Sequence, residues 1–319
     1  MKIDLFQRID NRTKGLIASE KVALLYNILT ALIICVLFCQ LESPWEMLLN
    51  RVWMLAGGAV LYALYNYWPC KATMALRAIF PLALLPYWYP ETYDYNRLFD
   101  NLDHIFASLE QSVFGCQPAI LLSQYLPQSA WISEPMYFGY FSYFPMIAVV
   151  VFWTLFCKFE QFERTTFVIQ SSFLLYYTIY IFLPVVGPQF YFPAIGWEQA
   201  AQGVFPDMGH YFSSHAELLP GPGYDKGLFY SLVEYSHHAG ERPTAAFPSS
   251  HVGVSSILMY LAWRSSRKVF FCLLPVYILL CISTVYIQAH YLIDVFAGFI
   301  TAAMLYRMIS LAYCKWFAH

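Results

Sequence analysis

Charge is what this sequence has least of. Asp, Glu, Lys and Arg make up only 12% of its 319 residues, about half the roughly 25% of an ordinary globular chain. A soluble domain needs more polar side chains to wet its surface, so that class is excluded. Neither sign of charge prevails, since the formal net charge is −2. This rules out the basic field that would hold nucleic acid. The eight cysteines contain no CxxC pair. Seven of them (Cys35, Cys39, Cys70, Cys157, Cys272, Cys281 and Cys314) fall inside or at the ends of apolar stretches, where cysteine behaves as a small hydrophobe. Cys116 alone lies in a polar connection, so neither a disulfide framework nor a zinc site is expected. Residues 1–21 lack the compact apolar core and small-residue cleavage site of a secretory signal, so insertion is expected to begin at the first spanning helix. No internal repeat is evident, which leaves an inverted-repeat transporter little support.

What is present is apolar and aromatic. Hydrophobic residues make up 59% and aromatics 19% of the chain, and the mean hydropathy is +0.50. Runs of about twenty apolar residues are long enough to cross a bilayer. They predict an all-α, polytopic membrane bundle of about eight spans: 21–41, 48–68, 72–90, 136–157, 166–187, 246–264, 268–288 and 290–313. Pro81 and Pro86 make the third a candidate to kink or stop short. Two long connections remain, 91–135 and 188–245. The first holds an amphipathic segment, 101–115, with Leu102, Ile105, Phe106, Leu109 and Val113 on one face, expected to lie along the interface. A division at residue 135 separates the N-terminal membrane helices and interfacial segment from a C-terminal membrane domain, 136–319.

Eight spans with the N-terminus inside leave only Arg51, Arg97, Lys226 and Arg242 outside. The other fourteen of eighteen basic residues, Lys2 and Arg12 among them, are then cytoplasmic. Both termini are expected in the cytoplasm, and both long connections, with the starts of spans six and eight, on the extracytoplasmic face.

Three groups of residues converge on that face. Arg242-Pro243 is followed by Phe247-Pro248-Ser249-Ser250-His251 at the start of span six. His290-Tyr291-Leu292-Ile293-Asp294 opens span eight. Lys226, His237 and His238 sit in the connection before them. His251 and His290 are 39 positions apart, room for one helix to cross and a second to return, so both emerge at one surface. His290 and Asp294 share a helical face at i and i+4, where the carboxylate can accept from one imidazole nitrogen and leave the other free to attack. Pro248-Ser249-Ser250 reads as a helix start, whose free amides suit a phosphate. Arg242 can add a two-pronged contact to phosphate oxygens, and His251 can protonate a departing oxygen.

Other polar clusters have plainer readings. Asp207, His210, His215 and Glu217 fit no standard metal spacing and read as a solvated loop or headgroup contact. Asp94, Asp100, Asp103 and Glu110 read as a hydrated face, and Tyr87, Trp88, Tyr89, Tyr140 and Tyr143 as interface belts.

The C-terminal third resembles the type 2 phosphatidic acid phosphatase superfamily of membrane phosphoesterases. Its three blocks run K-x6-R-P, P-S-G-H and S-R-x5-H-x3-D. Here the first is Arg242-Pro243 with Tyr235 in the lysine position. The second is Pro248-Ser249-Ser250-His251, with serine for glycine, and the third is Ser283-Thr284, then His290 and Asp294, with threonine for arginine. His290-Tyr291-Leu292-Ile293-Asp294-Val295 and Pro184-Val185-Val186-Gly187-Pro188 are similar to the inositol phosphorylceramide synthase and sphingomyelin synthase branch. The resemblance implies a phosphohistidine mechanism without metal or other cofactor. His290 is its nucleophile, Asp294 the residue that holds it, and His251 the acid. Arg242, Ser249 and Ser250 bind the phosphate, and Lys226, His237 or His238 are left to supply the charge of the missing lysine and arginine. The expected substrate is a membrane lipid: a lipid phosphate hydrolysed to phosphate, or alternatively a phospho-headgroup such as phosphoinositol moved onto a lipid hydroxyl. A non-catalytic lipid transporter is the remaining alternative.

Overall fold

The computed structural model describes residues 5–9 and 14–317, so Lys2 and Arg12 lie outside the described residues. In chain order the helices are α1 (Ala18–Val36), α2 (Pro44–Tyr67), α3 (Lys71–Ala83), α4 (Leu85–Asn96), α5 (Asp103–Phe114), α6 (Pro118–Tyr125), α7 (Ala130–Phe141), α8 (Tyr143–Cys157), α9 (Phe159–Phe182), α10 (Pro188–Ile195), α11 (Trp197–Ala201), α12 (Leu228–Gly240), α13 (Ser250–Ser265), α14 (Arg267–Tyr286) and α15 (Leu292–Trp316). No strand forms among the described residues, as an apolar chain that must satisfy its own backbone within a bilayer requires of anything but a closed barrel. The chain is an α-helical polytopic bundle. Five described helices, α1, α2, α9, α14 and α15, are long and apolar enough to span. The pairs α5–α6 and α7–α8, bent by 71° and 45°, bring the number to seven if each is one span.

The differences from eight straight spans have local causes. The expected third span breaks at Leu84 into α3 and α4, with Pro81 inside the first and Pro90 inside the second. A proline removes a backbone donor and crowds the preceding turn. The expected sixth shrinks to α13, of 16 residues; at 1.5 Å per residue that is about 24 Å, short of a roughly 30 Å hydrocarbon core.

Contacts divide the chain into two compact units. One comprises Met1–Trp88, Val151–Leu174 and Tyr306–His319; the other comprises Tyr89–Val150 and Leu175–Leu305. In the first, α1, α2 and α3 pack pairwise. Arg77, fully buried on α3, places Nε and Nη2 on the Glu20 carboxylate at 2.7 and 2.5 Å, and Nη2 also donates to the Gly15 carbonyl at 2.9 Å. The Tyr62 and Tyr65 rings pack against its guanidinium. A buried ion pair of this kind tolerates burial because Nε and Nη2 meet a two-pronged acceptor and a carbonyl, and two aromatic rings cover the guanidinium.

The second unit is organised around the segment Pro184–Pro188. The Pro184 carbonyl accepts from Leu102 N, the Val185 carbonyl accepts from Ala246 N, and Gln189 N donates to the Gln288 carbonyl. The amides of Val186 and Gly187 donate to the Asp103 carboxylate at 2.7 and 2.9 Å, and the Tyr291 hydroxyl and Asn101 amide donate to it at 2.9 and 2.7 Å. Gly187 has φ +88, and a Cβ there would lie 2.8 Å from the Ala289 carbonyl oxygen. Only glycine admits both that backbone region and that approach.

This arrangement corrects the hydrated-face reading of Asp103 and Glu110. Both carboxylates are fully buried on one face of α5, and Glu110 accepts from Ile293 N at 3.0 Å. The apolar residues Ile105, Leu109 and Val113 are the exposed ones. In lipid an amphipathic helix turns its polar stripe toward protein and its apolar stripe outward. The aromatic belt is corrected likewise: Trp88, Tyr140 and Tyr143 are buried, and of these three and Tyr87 only Tyr87 is exposed.

Removing the acceptor at Asp103 strands two backbone amides, the Asn101 side-chain amide and the Tyr291 hydroxyl in a dry interior, each costing about 1–3 kcal/mol. Asp103→Ala is expected to lower the thermal-unfolding midpoint of the purified protein sharply. Asp103→Asn, which keeps one acceptor oxygen, should fall between it and the parent. Equal midpoints for all three proteins would contradict the bracing role.

Candidate active site

His251 lies in the first turn of α13, whose N-terminus is capped by Ser249: its hydroxyl accepts from Val252 N at 3.3 Å. The ring of His251 is held between Tyr140, stacked at 4.6 Å between centroids, and Tyr143 at 4.5 Å. His290 precedes α15 in the short connection after α14, and its backbone N donates to the Thr284 carbonyl. The two imidazoles, 39 positions apart, meet with His290 Nε2 3.4 Å from His251 Nδ1. The juxtaposition argued from helix length is therefore present in the structure.

The group that orients His290 differs from the one read from the i,i+4 spacing. His290 Nδ1 lies 2.8 Å from the Ala246 carbonyl oxygen and 3.5 Å from Asp294 Oδ2. The carbonyl is thus the hydrogen-bond acceptor, which assigns the proton to Nδ1 and leaves the Nε2 lone pair facing His251. Asp294 takes its short hydrogen bond, 2.8 Å, from Tyr291 N, closing the start of α15. It remains an electrostatic neighbour of the imidazole rather than its anchor. Ala246, whose carbonyl replaces it, follows Ala245, a residue with φ +71, an uncommon conformation for a side chain-bearing residue and one that often marks functional sites.

A cavity of about 20 Å³ beside the histidines is lined by Tyr89, Tyr140, Gln189, Glu241, Ser250, His251 and His290, with Thr244 and the turn Ala245–Ala246. No lysine or arginine is among its lining residues. Arg242 and Lys226, read as phosphate contacts, are exposed and do not line it. Ser249 is fully buried with its hydroxyl committed to the helix cap, so of the four expected phosphate contacts only Ser250 faces the cavity. His237 does not replace the missing charge, because burial pushes its pKa down to about 4 and leaves it neutral.

The residue the sequence reading passed over is Glu241, one position before Arg242. Its carboxylate accepts from the Tyr89 hydroxyl at 3.2 Å and the Gln189 amide at 3.3 Å. Burial pushes its pKa up to about 7, against the lowering effects of Tyr89, His290 and Gln189. Burial also pushes His290 down to about 4, while the Ala246 hydrogen bond and Glu241 act in the opposite direction. At neutral pH the nucleophile candidate is therefore a free base, and the acid beside it takes a proton far more readily than an ordinary carboxylate. Only its position next to the Arg-Pro pair could have drawn attention to Glu241.

The acidic-histidine cluster lies elsewhere. Asp207 is 3.6 Å from His104, His210 is 3.3 Å from Asp100, and His215 stacks on Tyr211. Among the described residues no three candidate ligands assemble to hold a metal ion.

A family model described as PAP2 superfamily matches residues 104–308, more than half of the chain and a range that contains His251, His290 and Asp294. No curated protein and no solved structure matches it.

Two outcomes test this geometry. Ser249→Ala removes a helix cap worth about 1 kcal/mol; it should lower the unfolding midpoint with KM unchanged, whereas a phosphate ligand would raise KM. For Glu241 the folded pKa of about 7 exceeds its ordinary value of 4.5. Its contribution to stability is then full below 4.5 and is lost as pH rises through about 7. Glu241→Gln should therefore gain stability relative to the parent across that window, read as a widening difference in unfolding midpoint. A difference independent of pH would refute the raised pKa.

Proposed function

The chain belongs to the PAP2 superfamily, and from that membership and its cation-free histidine pocket we propose that it transfers a phosphorylated headgroup from a lipid phosphodiester to a hydroxyl. The observation that carries this reading is the absence of lysine and arginine from the cavity that holds His251 and His290. A lipid phosphomonoester brings close to two negative charges at neutral pH and would need cations to meet them. A phosphodiester brings one, which backbone and hydroxyl donors can accommodate. The site also holds Glu241, which protonates more readily beside an incoming anion and can then donate to a phosphoryl oxygen.

The reaction is a double displacement. His290 Nε2 attacks phosphorus and forms the N–P bond while the bond to the lipid oxygen breaks, and His251, protonated as the anionic phosphodiester enters beside it, gives that oxygen its proton. The acceptor hydroxyl then returns a proton to His251 as its oxygen forms the new O–P bond and His290 departs. Asp294, 3.5 Å from His290 Nδ1, favours the cationic phosphoimidazole once it is ionised. The extracytoplasmic placement argued from basic residues and the likeness to the inositol phosphorylceramide and sphingomyelin synthase branch belong to the same proposal.

Hydrolysis is the second reading, and one observation favours it: a cavity of about 20 Å³ is large enough for a water and little else. Purified protein in EDTA, given a phosphodiester lipid labelled in its phosphate, separates the two. Transfer predicts a new labelled phosphodiester when a lipid hydroxyl or inositol is added, whereas hydrolysis predicts a free phosphorylated headgroup from a diester, or phosphate from a lipid phosphate, whatever the acceptor. His290→Ala should abolish either product, and His251→Ala should reduce it about 10²–10⁴-fold, the usual worth of a general acid. Full activity in His290→Ala would remove the nucleophile assignment.

A further inference from the structure

The turn that joins α13 to α14 gathers positive charge that the proposed chemistry does not use. Arg264, Arg267 and Lys268 stand within five positions there, all exposed; the other basic residues of the second unit, Arg97, Lys226 and Arg242, are scattered. From Arg242 to Ile293 the sequence has no Asp or Glu, so neither helix carries a carboxylate to meet these cations. Among the described residues none of the three takes part in an ion pair. The turn is also concave. Trp263, Arg264, Ser265, Ser266 and Arg267 line an open hollow of about 320 Å³, within the size range of small-molecule sites.

One of the cations is held in place. The Trp263 ring packs edge-on against Phe270, 4.7 Å between centroids, and the Arg267 guanidinium lies over it, 3.0 Å from the ring centroid. A guanidinium stacked on an aromatic face is fixed in direction while its N–H edges stay free for oxygen acceptors. The backbone adds donors of its own: Ser266 caps Val269 N at 3.4 Å, and the amides of Arg267 and Lys268 before it have no acceptor. Trp263 and Phe271, 42% and 60% exposed, flank the cations. Aromatic and basic side chains meet in this way at the border between hydrocarbon and headgroups, so the occupant comes from the membrane. On the sidedness expected from the basic residues, the turn faces the cytoplasm, whose leaflet carries the anionic lipids.

We propose that the α13–α14 turn is a binding site for the headgroup of a lipid phosphomonoester, its phosphate between Arg264 and Arg267 and its acyl chains beside Trp263 and Phe271. A phosphomonoester brings close to two negative charges to cations that nothing else neutralises, and the arginine forks suit its oxygens. The site stands apart from the proposed headgroup transfer, because it lies at the far end of α13 from His251, roughly 20 Å away at 1.5 Å per residue.

The test uses the full chain with His290→Ala, so that turnover at the histidines does not deplete the probe, purified and reconstituted in phosphatidylcholine nanodiscs. The probes are photoreactive diazirine forms of phosphatidic acid, phosphatidylglycerol and phosphatidylcholine, and cross-linked peptides are mapped by mass spectrometry. Phosphatidic acid should label the stretch from Tyr260 to Phe271 about tenfold more strongly than phosphatidylcholine, the scale of one charge-assisted hydrogen bond, with phosphatidylglycerol between them. Equal labelling by the three lipids overturns the proposal. Inorganic phosphate replacing chloride at the same ionic strength should leave the labelling intact; displacement would make the free ion the ligand and overturn the lipid assignment.

Arg264→Gln with Arg267→Gln should erase the preference for phosphatidic acid and leave the unfolding midpoint unchanged, since both side chains are exposed. Arg264→Lys with Arg267→Lys keeps the charge but removes the forks and the flat stack on Trp263, and should lose most of the preference as well. A preference undiminished by the glutamine pair places the lipid elsewhere, and one fully retained by the lysine pair is diffuse attraction; either result overturns the site. If the glutamine pair fails to fold, the lysine pair alone decides it.

Discussion

Backbone groups that leave regular helix inside a bilayer-embedded protein have no water to turn to, and the second unit of this chain is built around meeting that demand at one place. Pro184–Pro188 runs as non-helical backbone between α9 and α10, where every amide and carbonyl must find a protein partner. Asp103 takes two of its amides. The Val185 carbonyl takes the amide of Ala246, and the Ala246 carbonyl in turn takes the proton of His290 Nδ1. Asp103 also receives the hydroxyl of Tyr291, the neighbour of His290. The position and tautomer of the nucleophile candidate thus follow from a backbone hub whose keystone is a carboxylate on another helix. A hub of this kind is stiff, because each member fixes two others and no solvent competes for any of them.

The legible part of the site was the part whose geometry depends on helix length. His251 and His290 come together because two consecutive helices, α13 and α14, bring the chain out and back. That needs only the rise per residue and the thickness of a bilayer. The choice of acceptor for His290 was not legible, since a main-chain carbonyl has no letter in the sequence and Ala246 carries no chemical signal. Ser249 was read as a ligand for phosphate where it serves as a cap. Both roles call for a serine at a helix start, and only the destination of its hydroxyl separates them. Arg242 and Glu241 were exchanged for a similar reason: adjacent residues at the end of a loop face different ways, and which one faces the cavity depends on tertiary packing.

The reading of α5 failed on a rule rather than a detail. Asp103 and Glu110, seven positions apart, lie on one helical face, and the rule for soluble proteins assigns such a face to water. The segment's own apolar residues, Ile105, Leu109 and Val113, show why this inverts: they are the exposed side, fit for lipid. In a membrane protein an acidic residue on the polar stripe of a helix beside a span is better read first as an internal brace.

The low charge of the pocket bears on how the proposed nucleophile would survive beside the proposed substrate. A phosphodiester arriving there would add a negative charge next to His290 and raise its tendency to take a proton, which would end its use as a nucleophile. Burial has already set its pKa near 4, so a substantial rise still leaves it unprotonated at neutral pH. Glu241 begins from about 7, and the same added charge drives it to the protonated form. There it repels nothing and can offer a hydrogen to the phosphoryl oxygens. One perturbation acts oppositely in use: it leaves the base free because that group started low, and it neutralises the acid because that group started high. A lysine or arginine in the cavity would hold Glu241 ionised by pairing with it, and that self-adjustment would be lost. On this argument the missing cations and the extra carboxyl group are a single feature of the site.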